Sequence, residues 1–400
     1  MVLNFVAQTV FWSSVAALLY TYAGYPLLVY TISLLFPKTV KQGDFEPEVT
    51  ILITAYNEER AIRAKLENTL DIDYVPEKLE ILVASDCSND KTEEIVKEFA
   101  ARGVKLHRQT ERLGKTMAQN AAVEIATGEI ILFSDATTMY APDVLRRMLP
   151  NFADETVGCV AGKLIYVDET RSQVGTGAKR YWSYETFLKE SESRACSLIG
   201  ASGCLYAVRK SAYRPMYAEA CSDFLIATVM REQNLRTVYE PNAICTEETN
   251  QRTDKEIRMR VRVISQTITD LWRNRAMLSP FKSGFYAVEL VSHKIFRYSV
   301  PLFLIALLVS TAALAFSSET FVALFALQIV FYAMAFAAWM LEKTKKSTGV
   351  LAMPLYFVLT NLASTVGFYK FLRGERFARW EPIRDNEKWK VENGKLEAEN

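Results

Sequence analysis

No charged side chain occurs before Lys38, and Glu319 is the only one between Tyr298 and Leu341. Histidine is nearly missing, with two in 400 residues, and the six cysteines, at 87, 159, 196, 204, 221 and 245, form no C-x-x-C pair. That scarcity excludes the usual zinc spacings and a small disulfide scaffold, and it suits thiols kept reduced in cytosol. A basic surplus is absent too. Forty-seven Lys and Arg stand against 46 Asp and Glu, a net charge of +1, which argues against a nucleic-acid partner. Half of the residues are apolar and 23% are charged, so disorder and collagen are excluded and the charges must be segregated.

What is present is a set of long apolar runs around one charged block. A helix needs about 20 apolar residues to cross a bilayer core. The opening run to Phe36 exceeds that, lacks the basic start of a cleaved signal peptide, and reads as one membrane helix over residues 9–36; a buried core helix is the competing reading. Runs at 298–318, 320–341 and 347–369 follow, the first two joined as a hairpin around Glu319. Between the charged block and that hairpin, residues 281–297 mix Phe285, Val288, Val291, Ile295 and Phe296 with Lys282, Lys294 and Arg297. This suits a helix in the interface plane, or an ordinary surface helix. The expected organisation is a membrane helix at 1–37, a water-facing domain at 38–280, an interfacial helix at 281–297, about three membrane helices at 298–372 and a polar tail at 373–400.

Lys343, Lys345 and Lys346 place the end of the hairpin in the cytoplasm, and Arg373, Arg376, Arg379 and Arg384 ask the same of the tail. Four full crossings would put the tail opposite the domain. Either the last run is re-entrant or the tail breaks the positive-inside rule.

The domain alternates strands and helices. "VTILITAY", "LEILVASD" and "GEIILFSDA" are short apolar runs with polar ends, and "EERAIRAKLENTL", "KTEEIVKEFAARG" and "KTMAQNAAVEIA" have helical spacing. Such alternation predicts an α/β fold with a parallel sheet, its ligands at the carboxyl ends of the strands. Those ends carry Ala55, Tyr56, Asn57 and Glu58, then Asp86, then Ser134 and Asp135. Asp86 and Asp90 bracket a loop that equally suits a structural turn. Lys115 opens a helix, where a cation can meet a diphosphate, or where Gly-Lys simply serves as a helix cap. Asp135 closes a strand expected to be buried on both faces, so a metal or phosphate partner is favoured there.

In order and spacing, "PEVTILITAYNEE", "SDCSNDKT", "RLGKTMAQNAA" and "FSDATT" resemble the family 2 glycosyltransferases of the GT-A fold. Their membrane-bound branch includes cellulose, hyaluronan and chitin-oligosaccharide synthases. The resemblance covers roughly residues 46–275 and implies a GT-A domain with a Rossmann-like parallel or mixed sheet, flanked by membrane helices. It implies a UDP-sugar donor held by Ala55, Tyr56, Glu58, Asp86, Lys115, Ser134 and Asp135. Asp135 matches the first acid of the D-x-D motif that binds Mn²⁺ or Mg²⁺, and Thr137 stands where the second acid usually is.

"LIGASGCLYAVRKSAY" resembles the floor of the acceptor site, which implies acceptor contacts at Gly200, Ala201, Ser202 and Gly203; a tight turn before a strand is the plainer reading. Trp182, beside Tyr181 and Tyr184, is a candidate stacking surface, although such clusters also serve packing. Cys221-Ser222-Asp223 stands at the catalytic-base segment and keeps only its last acid, which makes Asp223 the candidate base. Ser222 or Asp223 also suits a helix N-cap. The Q-x-x-R-W stretch reads Met259-Arg260-Val261-Arg262-Val263, which keeps Arg262 for the leaving diphosphate and loses the Gln and Trp.

These residues imply an inverting, metal-dependent transfer from a UDP-sugar to a membrane-proximal glycan or lipid-linked acceptor. It would take place at the cytoplasmic face of a cell membrane, in a chain that acts alone, as a homo-oligomer or with a partner subunit. The alternatives are a processive polysaccharide synthase that secretes its polymer, and a catalytically silent subunit that binds UDP-sugar. A transporter without enzyme activity fits less well, because none of the apolar runs carries buried ionisable residues along its length.

Overall fold

Three apolar runs build the centre of the molecule, because a strand covered on both faces tolerates almost no polar side chain. They are β1 (Val49–Ala55), β2 (Leu79–Ser85) and β4 (Ile130–Asp135), in which Ile51, Ile53, Val83, Ile130 and Leu132 are wholly buried. Burying a side chain of that size contributes about 1.5–3 kcal/mol, so these strands anchor the domain. The computed structural model describes residues 2–167, 173–248, 253–344, 348–379, 389–392 and 395–398.

The elements alternate as the sequence predicts. The first membrane-length helix is α1 (Val2–Leu19) and α2 (Tyr25–Leu35), joined by a π-turn at Tyr20–Gly24. After β1 come α3 (Ile62–Leu70), β2, α4 (Thr92–Glu98), β3 (Val104–Arg108), α5 (Lys115–Ile125) and β4. Then follow β5 (Met139–Tyr140), α6 (Val144–Met148), β6 (Val157–Val167), α7 (Gln173–Ala195), β7 (Tyr206–Arg209), α8 (Ser222–Glu232), β8 (Arg236–Glu248) and α9 (Thr253–Arg273).

Eight strands form one sheet in the order β3-β2-β1-β4-β7-β6-β8-β5. The first four are parallel and β7 is antiparallel to both β4 and β6, so the sheet is mixed. The register pairs Ala55 with Ser85 and Thr54 with Asp135, which brings three strand ends to one edge. This is a mixed α/β sheet of GT-A type.

Four helical stretches are long and apolar enough to cross a membrane: Asn4–Leu35, Phe285–Ala315, Glu319–Lys343 and Gly349–Leu372. The second differs from the expectation of a separate interfacial helix over 281–297. Only a short α10 (Pro280–Ser283) stands apart. α11 (Phe285–Leu290), a π-turn at Val291–Phe296 and α12 (Arg297–Ala315) run on without interruption. The continuous helix therefore includes Glu289, His293 and Lys294, which corrects the view that no membrane-length run holds buried ionisable residues: Glu289 and His293 are buried. His293 and Arg297 are engaged by acids of α7, and Tyr25 of α2 joins them. His293 Nδ1 lies 2.6 Å from Glu192 Oε1, Arg297 reaches Glu185 at 3.0 Å, and the Tyr25 hydroxyl donates to Glu192 at 2.5 Å.

α13 (Glu319–Lys343) folds back from α12, and the Asn4 side-chain amide donates to the Ser317 hydroxyl at 3.1 Å, so the chain start and this hinge share one end. The last helix, α14 (Ala352–Leu372), lies along α9 of the domain. Val261 and Ile264 pack on Ala363, and Trp272 meets Phe371 edge-on with ring centroids 6.4 Å apart, inside the span of about 4.5–7 Å usual for such pairs. Beyond α14 the chain stays on the domain: Gln266 Nε2 donates to the Phe377 carbonyl at 2.7 Å. Residues 377–379 therefore lie with the domain rather than opposite it. Lys345, Lys346 and Arg384 fall outside the described residues.

A two-stranded ribbon, β9 (Trp389–Glu392) and β10 (Lys395–Ala398), follows in the tail.

Candidate active site

The end of β1 is stitched to the end of β2. The Asp86 N–H donates to the Ala55 carbonyl at 2.9 Å, Asn57 N–H to Ser88 Oγ at 3.1 Å and Glu58 N–H to Thr92 Oγ1 at 2.7 Å. Asn57 and Cys87 adopt positive φ, +54° and +60°, conformations that cost a non-glycine residue energy and recur at functional turns. Asp90 is engaged in the turn itself, accepting from Thr92 N–H at 2.9 Å and Glu59 N–H at 3.1 Å.

Asp86 is fully buried and accepts from the backbone N–H of Leu113 at 2.8 Å and of Gly114 at 3.0 Å. Burial raises its pKa, against the lowering effect of those two bonds. Its carboxylate thus pins the loop that precedes Lys115. Arg112, in the same loop, lays its guanidinium 3.8 Å from the centre of the Tyr56 ring. Ser134 is buried, and its hydroxyl donates to the Asp135 carbonyl at 3.0 Å.

Lys115, the first residue of α5, pairs with Asp135 at the end of β4. Burial works against the ammonium, but Asp135 and then Asp223 keep it charged above the ordinary lysine range. A Cβ built on Gly203 would sit 3.1 Å from Asp223 Oδ2 and 3.4 Å from Lys115 Nζ. Glycine at 203 therefore lets the acid and the ammonium come together over the backbone. The floor reaches the same place, since Ala201 N–H donates to the Asp223 carbonyl at 2.8 Å. Gly200 lies against Phe224 and Ser202 accepts from Lys189 Nζ at 2.6 Å.

Asp223 lies in the first turn of α8, and its Oδ1 accepts from Phe224 N–H at 3.0 Å. Neither Ser222 nor Asp223 caps that helix. The N-cap is Cys221, with no side-chain cap bond. The start of α8 is held instead by Asp270 of α9, whose carboxylate accepts from Cys221 N–H at 3.1 Å and from the Tyr217 hydroxyl. Burial pushes the Asp270 carboxyl up to about 8, outweighing those bonds. Arg262, also on α9, faces Cys221, Asp135 and Asp223, and its Nε is buried without a hydrogen-bond partner among the described residues. Burial lowers the Arg262 pKa, and the two acids resist it. Lys115, Asp135, Asp223, Arg262 and the 200–203 floor are therefore one constellation.

Thr137 is exposed, and its hydroxyl donates to Glu247 Oε1 at 3.0 Å. Glu247 comes from β8 and takes the place beside Asp135 that Thr137 cannot fill with charge. Burial and then Asp135 push its carboxyl up to about 7. Among the described residues no three His, Cys, Asp or Glu side chains cluster as a metal cage. Beneath the loop, Lys65 is wholly buried, donates to the Thr138 carbonyl at 2.6 Å and lies 3.5 Å from the centre of the Tyr140 ring. Sequence reasoning passed over Lys65 and Asp270. Their one signal is a charge on the apolar face of a helix, Lys65 beside Ile62, Leu66 and Thr69.

The tail reaches the site as well. The Ala378 carbonyl lies against Gly114, at φ +99°, where a Cβ would collide with it, and Arg379 is among the charges acting on Asp86. Trp182 lies in α7, with its side chain outside the described residues.

Residues 50–216 match the family model described as Glycosyl transferase family 2. A beta-monoglucosyldiacylglycerol synthase of Trichormus variabilis is 31% identical over 141 residues, 34% of this chain and 28% of that protein. A poly-beta-1,6-N-acetyl-D-glucosamine synthase of Staphylococcus epidermidis is 25% identical over 233 residues, 57% of this chain and 52% of that one. The chain thus spans about half or less of the length of these curated relatives. A solved mannosyltransferase of Pyrobaculum calidifontis, in complex with GDP-Man and Mn²⁺, has the same fold, with TM-score 0.68 and 23% identity over 94% of this chain and 100% of that one. With its strand-end acids and mixed sheet, the chain carries over residues 50–216 a segment of the family 2 glycosyltransferases.

Proposed function

We propose that this chain transfers a sugar, with inversion, from a nucleoside-diphosphate sugar, a UDP-sugar by its motifs, to a lipid-linked or membrane-proximal glycan acceptor. The observation that carries the reading is the meeting of Asp135, Lys115, Asp223 and Arg262 at one sheet edge, beside a helix long enough to enter a membrane. Asp223 takes the proton of the acceptor hydroxyl as its oxygen attacks the sugar C1. The bond from C1 to the diphosphate breaks, and the nucleoside diphosphate leaves with the electron pair. Arg262 and Lys115 face the charge that develops on it. Attack opposite the leaving group turns an α-linked donor into a β-linked product.

The residues present fit a divalent ion, Mn²⁺ or Mg²⁺. Two carboxylates, Asp135 and Glu247, lie in electrostatic range of one another, and burial and then Asp135 push the Glu247 carboxyl up to about 7. Hard oxygen donors suit such ions, and donor phosphates would complete the shell. Bound there, the ion would neutralise the diphosphate. The domain and tail lie on the cytoplasmic side of a cell membrane in this reading, supported by the arginines of the tail.

The test is purified full chain offered UDP- and GDP-sugars with Mn²⁺, assayed for nucleotide release. Calorimetry of UDP with and without EDTA, for the native protein and Asp135→Ala, is its second half. Release with one nucleotide class, and affinity lost both on chelation and in the variant, is expected. Equal affinity in all four combinations overturns the metal, and no release with any donor overturns the transfer.

A further inference from the structure

The loop after β4 begins at Asp135 and leads into β5, whose pairing with β8 brings Glu247 alongside. It is a tight loop. Thr138 N–H donates to the Asp135 carbonyl at 3.4 Å, and the Thr137 hydroxyl donates to Glu247 Oε1 at 3.0 Å. Its far side is gripped by α3, a helix to which the transfer chemistry gives no part. Lys65 donates to the Thr138 carbonyl at 2.6 Å, and its ammonium lies 3.5 Å from the centre of the Tyr140 ring. About one turn on, Asn68 holds the Tyr140 backbone by both of its polar groups. Asn68 Nδ2 donates to the Tyr140 carbonyl at 3.0 Å, and Asn68 Oδ1 accepts from Tyr140 N–H at 2.7 Å. The Tyr140 hydroxyl in turn donates to the Cys204 carbonyl at 3.1 Å, at the end of the 200–203 floor.

Lysine is an expensive side chain for this place. It is wholly buried, and burial pulls its pKa down to about 7. Methionine, unbranched and apolar, would fill similar space without desolvating a polar group. What lysine adds is the bond to the Thr138 carbonyl and the contact with the Tyr140 ring. Both act on the segment that joins Asp135 to the strand paired with β8. Carboxylates that share one small divalent ion must keep a set spacing, and groups that orient such ligands from outside are worth about 10–100-fold in metal affinity.

We propose that Lys65 and Asn68 are positioning residues for the divalent ion: by gripping the loop 135–140 from its far side they fix the gap between Asp135 on β4 and Glu247 on β8. The inference rests on the metal reading given above. Neither residue touches the donor in it, and each acts through the backbone of Thr138 or Tyr140.

The test titrates Mn²⁺ into the full chain in detergent with UDP present and reads free Mn²⁺ by its EPR signal, for the native protein, Lys65→Met and Asn68→Ala. Either substitution should raise the Mn²⁺ concentration at half-saturation by at least about tenfold. Melting without metal should show the variants folded, and UDP release from a UDP-sugar at saturating Mn²⁺ should return towards the native rate. That recovery separates positioning from plain support, because added metal does not repair a loosened core. Where Lys65→Met does not melt as a folded protein, Asn68→Ala, at the half-buried member of the pair, carries the comparison. A native Mn²⁺ titration in folded variants overturns the inference and leaves the metal standing. So does a loss of turnover that excess Mn²⁺ fails to recover. Native protein that takes up no Mn²⁺ with UDP present overturns the metal itself, and the inference with it.

Discussion

Asp223 joins two roles that a substitution can separate. Its Oδ1 accepts from Phe224 N–H within the first turn of α8, while Oδ2 points to Gly203 and Lys115. Asparagine keeps a side-chain oxygen for the first contact and has no basicity for the second. Asp223→Asn should therefore melt within a few degrees of the native protein and bind UDP with similar affinity. Its turnover should fall by about 10²–10⁴-fold, the usual contribution of a general base. Near-normal turnover would move the base elsewhere, and Glu247 is the next carboxylate at hand. At this scale the sequence was readable where strands end, as at Asp86 and Asp135, which the parallel register brings to one edge. It was silent on Glu247 as partner to Thr137, because the two are 110 positions apart and meet only through the pairing of β5 with β8.

Between elements, the decisive contact is that of α9 with α8. Asp270 holds Cys221 N–H and the Tyr217 hydroxyl, and so sets where α8 begins. Its carboxyl, pushed up to about 8 by burial, binds a proton in the folded state that the unfolded chain releases near the ordinary aspartate value of about 3.9. Its contribution is full below the unfolded value and is lost as pH rises through about 8. Stability should therefore decline between about pH 4 and 8 through this residue. Asp270→Asn, which cannot ionise, should flatten that decline; Tm measured at pH 5, 6.5 and 8 checks it. An unchanged slope would show that Asp270 is ionised at neutral pH. The expected Ser222 cap failed here for a physical reason: a buried carboxylate from a distant helix already serves that turn. The start of the second membrane-length helix was misread for a related one. Glu289, His293 and Lys294 look like a break in an apolar run, and only the acids of α7 show how His293 is accommodated within a helix.

Across the whole molecule, the two ends of the helical layer are marked by different contacts. Asn4 and Ser317 meet at one end, and Phe377 with Gln266 lies at the other, on the domain. With the domain in the cytoplasm, cysteines placed at Asn4 or Ser317 should react with a membrane-impermeant reagent in intact cells. A cysteine at Arg379 should react only after lysis, as should the native Cys87. Labelling of Arg379→Cys in intact cells, with Cys87 protected, would make α14 a full crossing. The contradiction between four apolar runs and a basic tail was visible in the sequence. Its resolution was not, because α14 is as apolar as a spanning helix and only its packing along α9 keeps its end on the domain.

The contact of Ala378 with Gly114 has a consequence in time. Residues 377–379 follow every membrane-length helix in chain order, yet they lie on the loop that Asp86 fixes ahead of Lys115. Synthesis runs from the N-terminus, and domains fold as they emerge. The sheet and its acids can thus assemble early, but the loop acquires its last neighbour only once α14 has been made and seated against α9. A chain whose final helix went astray would carry every residue of the constellation and still present the loop before Lys115 open on one side.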